Sequence, residues 1–341
     1  MAAGGEGVTV SVVLPVYNKA PFLRECIDSI LEQSFTDFEL VAVDDHSTDE
    51  SLSILSAVGD PRLRIIALEH NLGPAGCAQR GFDAARGRYI VRMDADDVMM
   101  PHRVATQVAF MDEHPDIGAS GSHMRLLDSP SERWRASLLD VDIRASVLFQ
   151  IPIFQPSSIY RRSVLVDHSV RFDDEWPRVG EDWLFQLRLL KVTRLANIDD
   201  DLVYYRLGPQ NSSQGRDRAS DLGRLFNEVL RWYGFPNDPV SLHHHLHGLR
   251  FYGQGFSTKD VAGLRNYLDG LRDQVHRRGL FDEAAFGRRV DGIWDDLAYQ
   301  LPRLGWGALW AYLRWDRSPS VAKFRYLLSS FITGRIYAGR G

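Results

Sequence analysis

The chain is poor in cysteine, in long apolar runs and in positive charge, and each shortage removes a class of protein. Its two cysteines, Cys26 and Cys77, stand far apart and form no Cys-x-x-Cys pair, so neither a disulfide framework nor a thiolate zinc site is indicated. A reducing cytoplasm is the expected compartment. No stretch reaches the roughly 18 uncharged apolar residues of a spanning helix, and the opening MAAGGEGVTV lacks the basic and apolar regions of a signal peptide. A place at the inner face of the membrane would therefore be peripheral. Forty Lys and Arg against 45 Asp and Glu leave a net charge of -5, the wrong sign for a general nucleic-acid binder. A glycine-rich phosphate loop is also missing, because the first strand runs into PVYNKAPF. That excludes the Rossmann and P-loop nucleotide sites.

What is present is enough apolar sequence, 44% of 341 residues, for a sizeable core and more than one domain. VTVSVVLPVYN is β-branched and apolar up to Leu14 and reads as a buried strand stopped by Pro15 and Asn18. Phe22, Leu23, Cys26, Ile27, Ile30 and Leu31 follow at helical spacing. FELVAVDD is a second strand, STDES supplies capping residues for a helix from about Thr48, and LRIIALE is a third strand. Gly73, Pro74 and Gly76 open a helix reaching Arg86, and RYIVRM is a fourth strand. Alternating strands and helices predict an α/β layer with a mostly parallel central sheet. In such sheets ligands bind beyond the carboxyl ends of the strands, where this chain places PVYN, Asp44-Asp45 and DADD.

DADD sets Asp94, Asp96 and Asp97 within four positions. Crowded like charges raise one another's pKa unless something positive answers them. A hard divalent cation, Mg²⁺ or Mn²⁺, sharing one or two carboxylates and phosphate oxygens would do so; a solvated acidic turn is the other reading. Asp44-Asp45 allows two readings as well, a ligand contact or a helix cap. The spacing is not that of an EF-hand, which needs a central Gly and a terminal Glu.

Three blocks, VSVVLPVYNKAPFLRECIDSILEQSFTDFELVAVDDHSTDES, NLGPAGCAQRGFDAARGRYIVRMDADD and, downstream, GEDWLFQLRL, together resemble a family 2 glycosyltransferase of the GT-A fold, of the inverting type that builds bacterial cell-surface polysaccharide. The resemblance implies a GT-A catalytic domain over residues 1–207, with a nucleotide-sugar half at about 8–115 and an acceptor half at about 116–207. A helical region at 208–341 follows. It implies transfer from a nucleotide diphosphate sugar, most often a UDP-sugar, to an acceptor hydroxyl of a glycan or lipid-linked glycan. Pro15, Val16 and Tyr17 match the segment along the nucleobase, Asp45 the uracil contact, and Arg80 a basic residue near the diphosphate. Asp94-Ala95-Asp96 matches the D-x-D, with Asp96 the expected metal ligand and Asp97 the alternative one.

Asp182, with Glu181 second, matches the family's base and keeps its spacing to Arg188; an acid-rich first helical turn is the structural alternative. Trp183 stands either in the pocket or in the core. Two departures accompany the match: Gln155 stands where relatives often carry a histidine, and YYRLGPQNSS has Gly208 where Tyr-Arg-x-His would put one. Asn211 or a water would then complete the metal shell. A second functional reading is a nucleotide-sugar-binding module of the same fold without catalysis. A sugar nucleotidyltransferase is disfavoured by the missing glycine-rich loop.

Beyond Gly208 the period is helical. His243, His244, His245 and His247 cluster there, but consecutive positions spread around a helix, so a polar, packed surface is preferred over a metal site. From Arg303 onward seven Lys or Arg face one Asp, a net +6, interleaved with Trp306, Trp310, Tyr312 and Trp315. Such a segment either packs its aromatics inward with snorkelling arginines or makes a peripheral membrane contact.

Overall fold

Strands form where the β-branched runs lie and helices where the apolar spacing is 3.6, in the order anticipated. The computed structural model describes residues 7–173, 176, 179–208, 218–249, 256–315 and 321–333. It begins β1 (Val10–Val16), α1 (Ala20–Leu31), β2 (Phe38–Asp44), α2 (Ser51–Ser56), β3 (Leu63–Ala67), α3 (Gly73–Ala84) and β4 (Tyr89–Arg92). Strand β1 pairs in parallel with β2 and β4, and β2 with β3. Both central strands are buried almost throughout, as a sheet covered on two faces requires. Helix α3 lies so close on β1 that a Cβ at Gly81 would stand 2.3 Å from Val13.

The chain then adds β5 (Val98–Met99), α4 (Arg103–Glu113), β6 (Ile117–Leu126), β7 (Arg133–Trp134), α5 (Asp140–Ser146), a 3-10 turn (Gln155–Ser157), β8 (Ile159–Arg161), α6 (Arg162–Asp167), α7 (Glu181–Leu190) and β9 (Arg194–Tyr205). Sheet order is β3-β2-β1-β4-β8-β6-β9-β5, with β7 on β6. The long ladders are parallel and the antiparallel ones, β4–β8, β8–β6, β9–β5 and β6–β7, are short. The α/β architecture with a mostly parallel sheet is thus the one the sequence implied. The segment IPIFQPSSIYRRSVL contributes only three residues of strand, because Pro152 and Pro156 remove ladder donors and Gln155–Ser157 form a 3-10 turn. One local expectation differs. The helix after β2 starts at Ser51 rather than Thr48: Asn18 Oδ1 takes the Thr48 amide, and Asp49 divides its carboxylate between the amides of Ser51 and Ala20.

Two compact units divide the chain, Met1–Val147 with Ile151–Arg216, and Leu148–Gln150 with Asp217–Gly341. The second holds α8 (Arg218–Tyr233), α9 (Pro239–Gly248), α10 (Thr258–Arg278), α11 (Glu283–Ala298), α12 (Leu301–Leu304), α13 (Trp306–Leu313) and α14 (Val321–Thr333), with no strand among its described residues. His245 is core here: its ring nitrogens meet Tyr267 Oη at 2.8 Å and the Leu148 carbonyl at 2.9 Å, and it stacks on Phe149. Burial pushes its pKa down to about 3. Tyr312 also packs inward, stacked on Trp294 at 4.8 Å, whereas Trp306, Trp310 and Trp315 are exposed. Among the described residues no helix is long and apolar enough to cross a membrane.

Candidate active site

The parallel register carries the ends of β1, β2 and β4 to one edge: Val16 pairs with Asp44, and Val13 with both Val41 and Arg92. Two loops there are latched together. The Asn18 and Lys19 amides donate to the hydroxyls of Ser47 and Ser51, which holds Asn18 and His46 at positive φ, 50° and 60°. Such φ values are uncommon outside glycine and cluster at ligand sites. Pro15 is half-buried, Val16 buried and Tyr17 44% exposed. Buried Asp45 accepts the amides of Leu72 and Gly73 at 2.7 and 2.9 Å. It therefore caps α3, not the helix that follows it in sequence. Asp44 Oδ2 accepts the Ser47 amide at 3.1 Å, while its buried Oδ1 has no partner.

At the end of β4 the three carboxylates are separated by their neighbours. Asp94 pairs with Arg92 at 2.8 Å and is 33% exposed on its side chain. Asp96 is buried against Lys19 Nζ at 2.5 Å. Asp97 is fully buried; Oδ1 accepts the Arg206 amide at 2.8 Å and Oδ2 has no hydrogen-bond partner. The antiparallel pairing of β5 with β9 brings Arg206 there, and its guanidinium donates to the Asp96 carbonyl at 2.8 Å and to Glu25. Burial and mutual repulsion raise the pKa of Asp96 and push that of Asp97 well above the carboxylate range. Beneath them Arg103 is fully buried, donating to the Arg92 carbonyl at 2.8 Å and to Gln107. Ala95 is buried between the acids.

Glu181 and Asp182 open α7 behind Gly180, whose φ of 85° is the left-handed conformation that glycine adopts without strain. Their charges lie in the field of β4: Asp94 raises the pKa of both and Arg92 lowers it, after desolvation as the largest cause. Asp182 Oδ1 accepts the Trp183 amide at 2.8 Å. Gln186, one turn on, holds the backbone of Ile153 from both sides and reaches Gln155 Oε1, which also accepts from Tyr160. In this chain Gln155 is thus a buried brace between β8 and α7. Arg188 ties Asp173 and the Arg171 carbonyl at 2.7 Å each.

The structure brings Pro15–Tyr17, Asp45 and Asp94–Asp97 to one sheet edge, and the Glu181–Asp182 pair into the same electrostatic field. Arg80 is exposed on α3, with no partner among the described residues. Asn211 lies outside the described residues. Lys19, Arg92 and Arg206 were not singled out from the sequence; Lys19, two residues beyond Tyr17, carries the only signal that could have pointed to it. Five carboxylates, Asp94, Asp96, Asp97, Glu181 and Asp182, lie in the fields of Lys19, Arg92, Arg103 and Arg206. The mutual repulsion that raises Asp96 and Asp97 and the orphaned Asp97 oxygen beside Asp96 suit a divalent cation. Among the described residues these acids do not form a three-ligand cluster, so donor oxygens or water would have to complete the shell.

The model of the family described as Glycosyl transferase family 2 matches residues 11–168. An uncharacterized glycosyltransferase of Haemophilus influenzae is 32% identical over 239 residues, 66% of this chain and 74% of that protein. The chain belongs to glycosyl transferase family 2. It is accordingly a glycosyltransferase, and the reading as a module without catalysis gives way. The succinoglycan biosynthesis protein ExoO of Rhizobium meliloti is 33% identical over 190 residues, and the Staphylococcus aureus poly(ribitol-phosphate) beta-N-acetylglucosaminyltransferase TarS is 30% identical over 341 residues. The chain spans 53% and 56% of their lengths. Among solved structures, S. aureus TarS 1-349 in complex with UDP-GlcNAc superposes with a TM-score of 0.57 at 19% identity, covering 96% of this chain and 93% of that one. The Pyrobaculum calidifontis mannosyltransferase PcManGT in complex with GDP-Man and Mn²⁺ gives 0.54 at 20% identity, covering 94% and 86%. At those identities the likeness is one of fold.

Proposed function

We propose that the chain transfers a sugar from a nucleoside diphosphate sugar, a UDP-sugar, to an acceptor hydroxyl with inversion at the anomeric carbon. The observation that carries this is the presence of two unlike acid groups, one cation-linked at the end of β4 and one without an ion-pair partner among the described residues at the start of α7. Pro15, Val16 and Tyr17 line the base, with the exposed Tyr17 ring free to stack. Asp45, which accepts the Leu72 and Gly73 amides, is the acceptor for a nucleobase N–H. Asp94 and Ala95 lie along the ribose and diphosphate, and Arg80 and Lys19 face the phosphate charge. Asp96 and Asp97 are the residues that would hold Mn²⁺ or Mg²⁺. Bound there, the metal would stabilise the departing diphosphate.

Asp182 accepts the acceptor's hydroxyl proton as the oxygen bonds to the anomeric carbon, and the bond from that carbon to the diphosphate oxygen breaks with its electron pair leaving on the diphosphate. Glu181 beside it, raised further, stays protonated and spares the pair a second charge. The TarS complex with UDP-GlcNAc supports a sugar nucleotide donor, and the succinoglycan biosynthesis relative ExoO supports a glycan acceptor. Exposed Trp306, Trp310 and Trp315 beside Arg303 and Arg314 support a peripheral contact of 303–341 with an anionic membrane face. A cytoplasmic site of action fits both.

A thermal-shift screen of UDP-, GDP- and dTDP-sugars with and without Mn²⁺ tests the donor assignment. A UDP-sugar at 100 times its Kd should add about 2.7 kcal/mol to stability, more tightly with Mn²⁺ present. A melting temperature unmoved by every sugar nucleotide would refute it.

A further inference from the structure

A cluster on α9 and α10 takes no part in the chemistry above. We propose that His243, His244 and Asp260 form a second divalent-metal site, of the zinc class, within the helical unit. His243 Nε2 stands 3.1 Å and His244 Nε2 4.0 Å from the same Asp260 oxygen, Oδ1, and the three ligand atoms lie within 4.8 Å of one another. Zinc bonds of about 2.0–2.1 Å in a tetrahedron put ligand atoms about 3.4 Å apart. The set thus needs only a small contraction, not a rearrangement.

Adjacent histidines on a helix diverge by about 100°, which argued against such a site in the sequence. The partner helix resolves the objection, because the first turn of α10 presents Asp260 to both rings. Two features orient the ligands before any ion arrives. Asp260 Oδ2 accepts the amide and hydroxyl of Ser257 at 2.7 Å each, so the capping box aims Oδ1 at the histidines. Gly263 leaves the space the ring occupies, since a Cβ there would fall 2.3 Å from His244 Nε2. Two imidazoles and one carboxylate suit zinc, cobalt or copper rather than magnesium or calcium. His243 is 39% exposed on its side chain, leaving the remaining coordination position to water.

The test uses the full chain, stripped by chelator, in millimolar Mg²⁺ to satisfy the all-oxygen site. One equivalent of Co²⁺ should give tetrahedral visible absorption, and Zn²⁺ should displace it and raise the melting temperature. His244→Ala and Asp260→Asn should each lower Zn²⁺ affinity at least about tenfold; the Asn keeps an acceptor for Ser257. Gly263→Ala, which leaves all three ligands in the chain, should weaken binding too, and circular dichroism reports whether each variant is folded. Absence of a Zn²⁺-dependent shift, or equal Co²⁺ binding by the wild type and a folded Asp260→Asn or Gly263→Ala, would overturn the proposal.

Discussion

At the end of β4 every carboxylate has a donor at hand: Arg92 on Asp94, Lys19 on Asp96 and the Arg206 amide on Asp97. At the start of α7 neither Glu181 nor Asp182 has an ion-pair partner among the described residues, and burial lifts both above the carboxylate range. Acids set among cations and amide donors are suited to binding a metal and its phosphates. Acids left without a cation are suited to taking a proton near neutral pH. One unit thus tunes the same functional group two ways through its neighbours.

The largest effect should come from Asp182→Asn, which should lower transfer about 10²–10⁴-fold while UDP and Mn²⁺ still bind. In the wild type, kcat/KM should fall with acidification through about pH 6, the value to which Asp182 is pushed; the carboxylate is the competent form, so the plateau lies above that pH. Equal losses of binding and turnover would erase the distinction between the two groups. Asp97→Asn should act in the other direction on stability. Because the folded protein raises the Asp97 pKa, its ionised form destabilises the fold increasingly as pH rises through that range. The variant should melt higher at pH 7 without metal, yet lose about tenfold or more in Mn²⁺-dependent donor affinity, in line with about 1.5–3 kcal/mol for a contact to a charged group. Asp45→Ala should cost about 1–2 kcal/mol as an α3 cap, seen as a lower melting temperature, together with weaker UDP binding. The smallest effect is at the far end: Trp306→Ser with Trp310→Ser should reduce co-sedimentation with anionic vesicles and leave donor binding unchanged. Equal pelleting would remove the membrane contact.

The first four strands and the acids at their ends were legible because one short segment states each of them. A buried parallel strand reads as an unbroken apolar run, and its polar exit follows at once. Strands β6 and β9 were not legible on those terms. IGASGSHMRL is small because Gly118 and Gly121 lie against Thr193, Ile153 and Asn197. In β9, Asp201 is answered by Arg125 and Arg133, and Asp199 by His123, partners some 70 residues away in the chain. A still longer separation, 109 residues from Asp97, hid Arg206, whose role depends on the pairing of β5 with β9. Aspartate spacing announced Asp94, Asp96 and Asp97, but only the fold showed that Asp45 caps α3 and that Lys19 meets Asp96. The four histidines read as one tract and divide in the structure, with His245 in the core and His243 and His244 turned to Asp260.

The central claim is a direct displacement in which the Asp182 side and the diphosphate side flank one anomeric carbon. Proton NMR of the first product formed from an α-linked UDP-sugar tests it most directly. The account predicts a β-anomeric product from the first turnover. An α-linked product would contradict it.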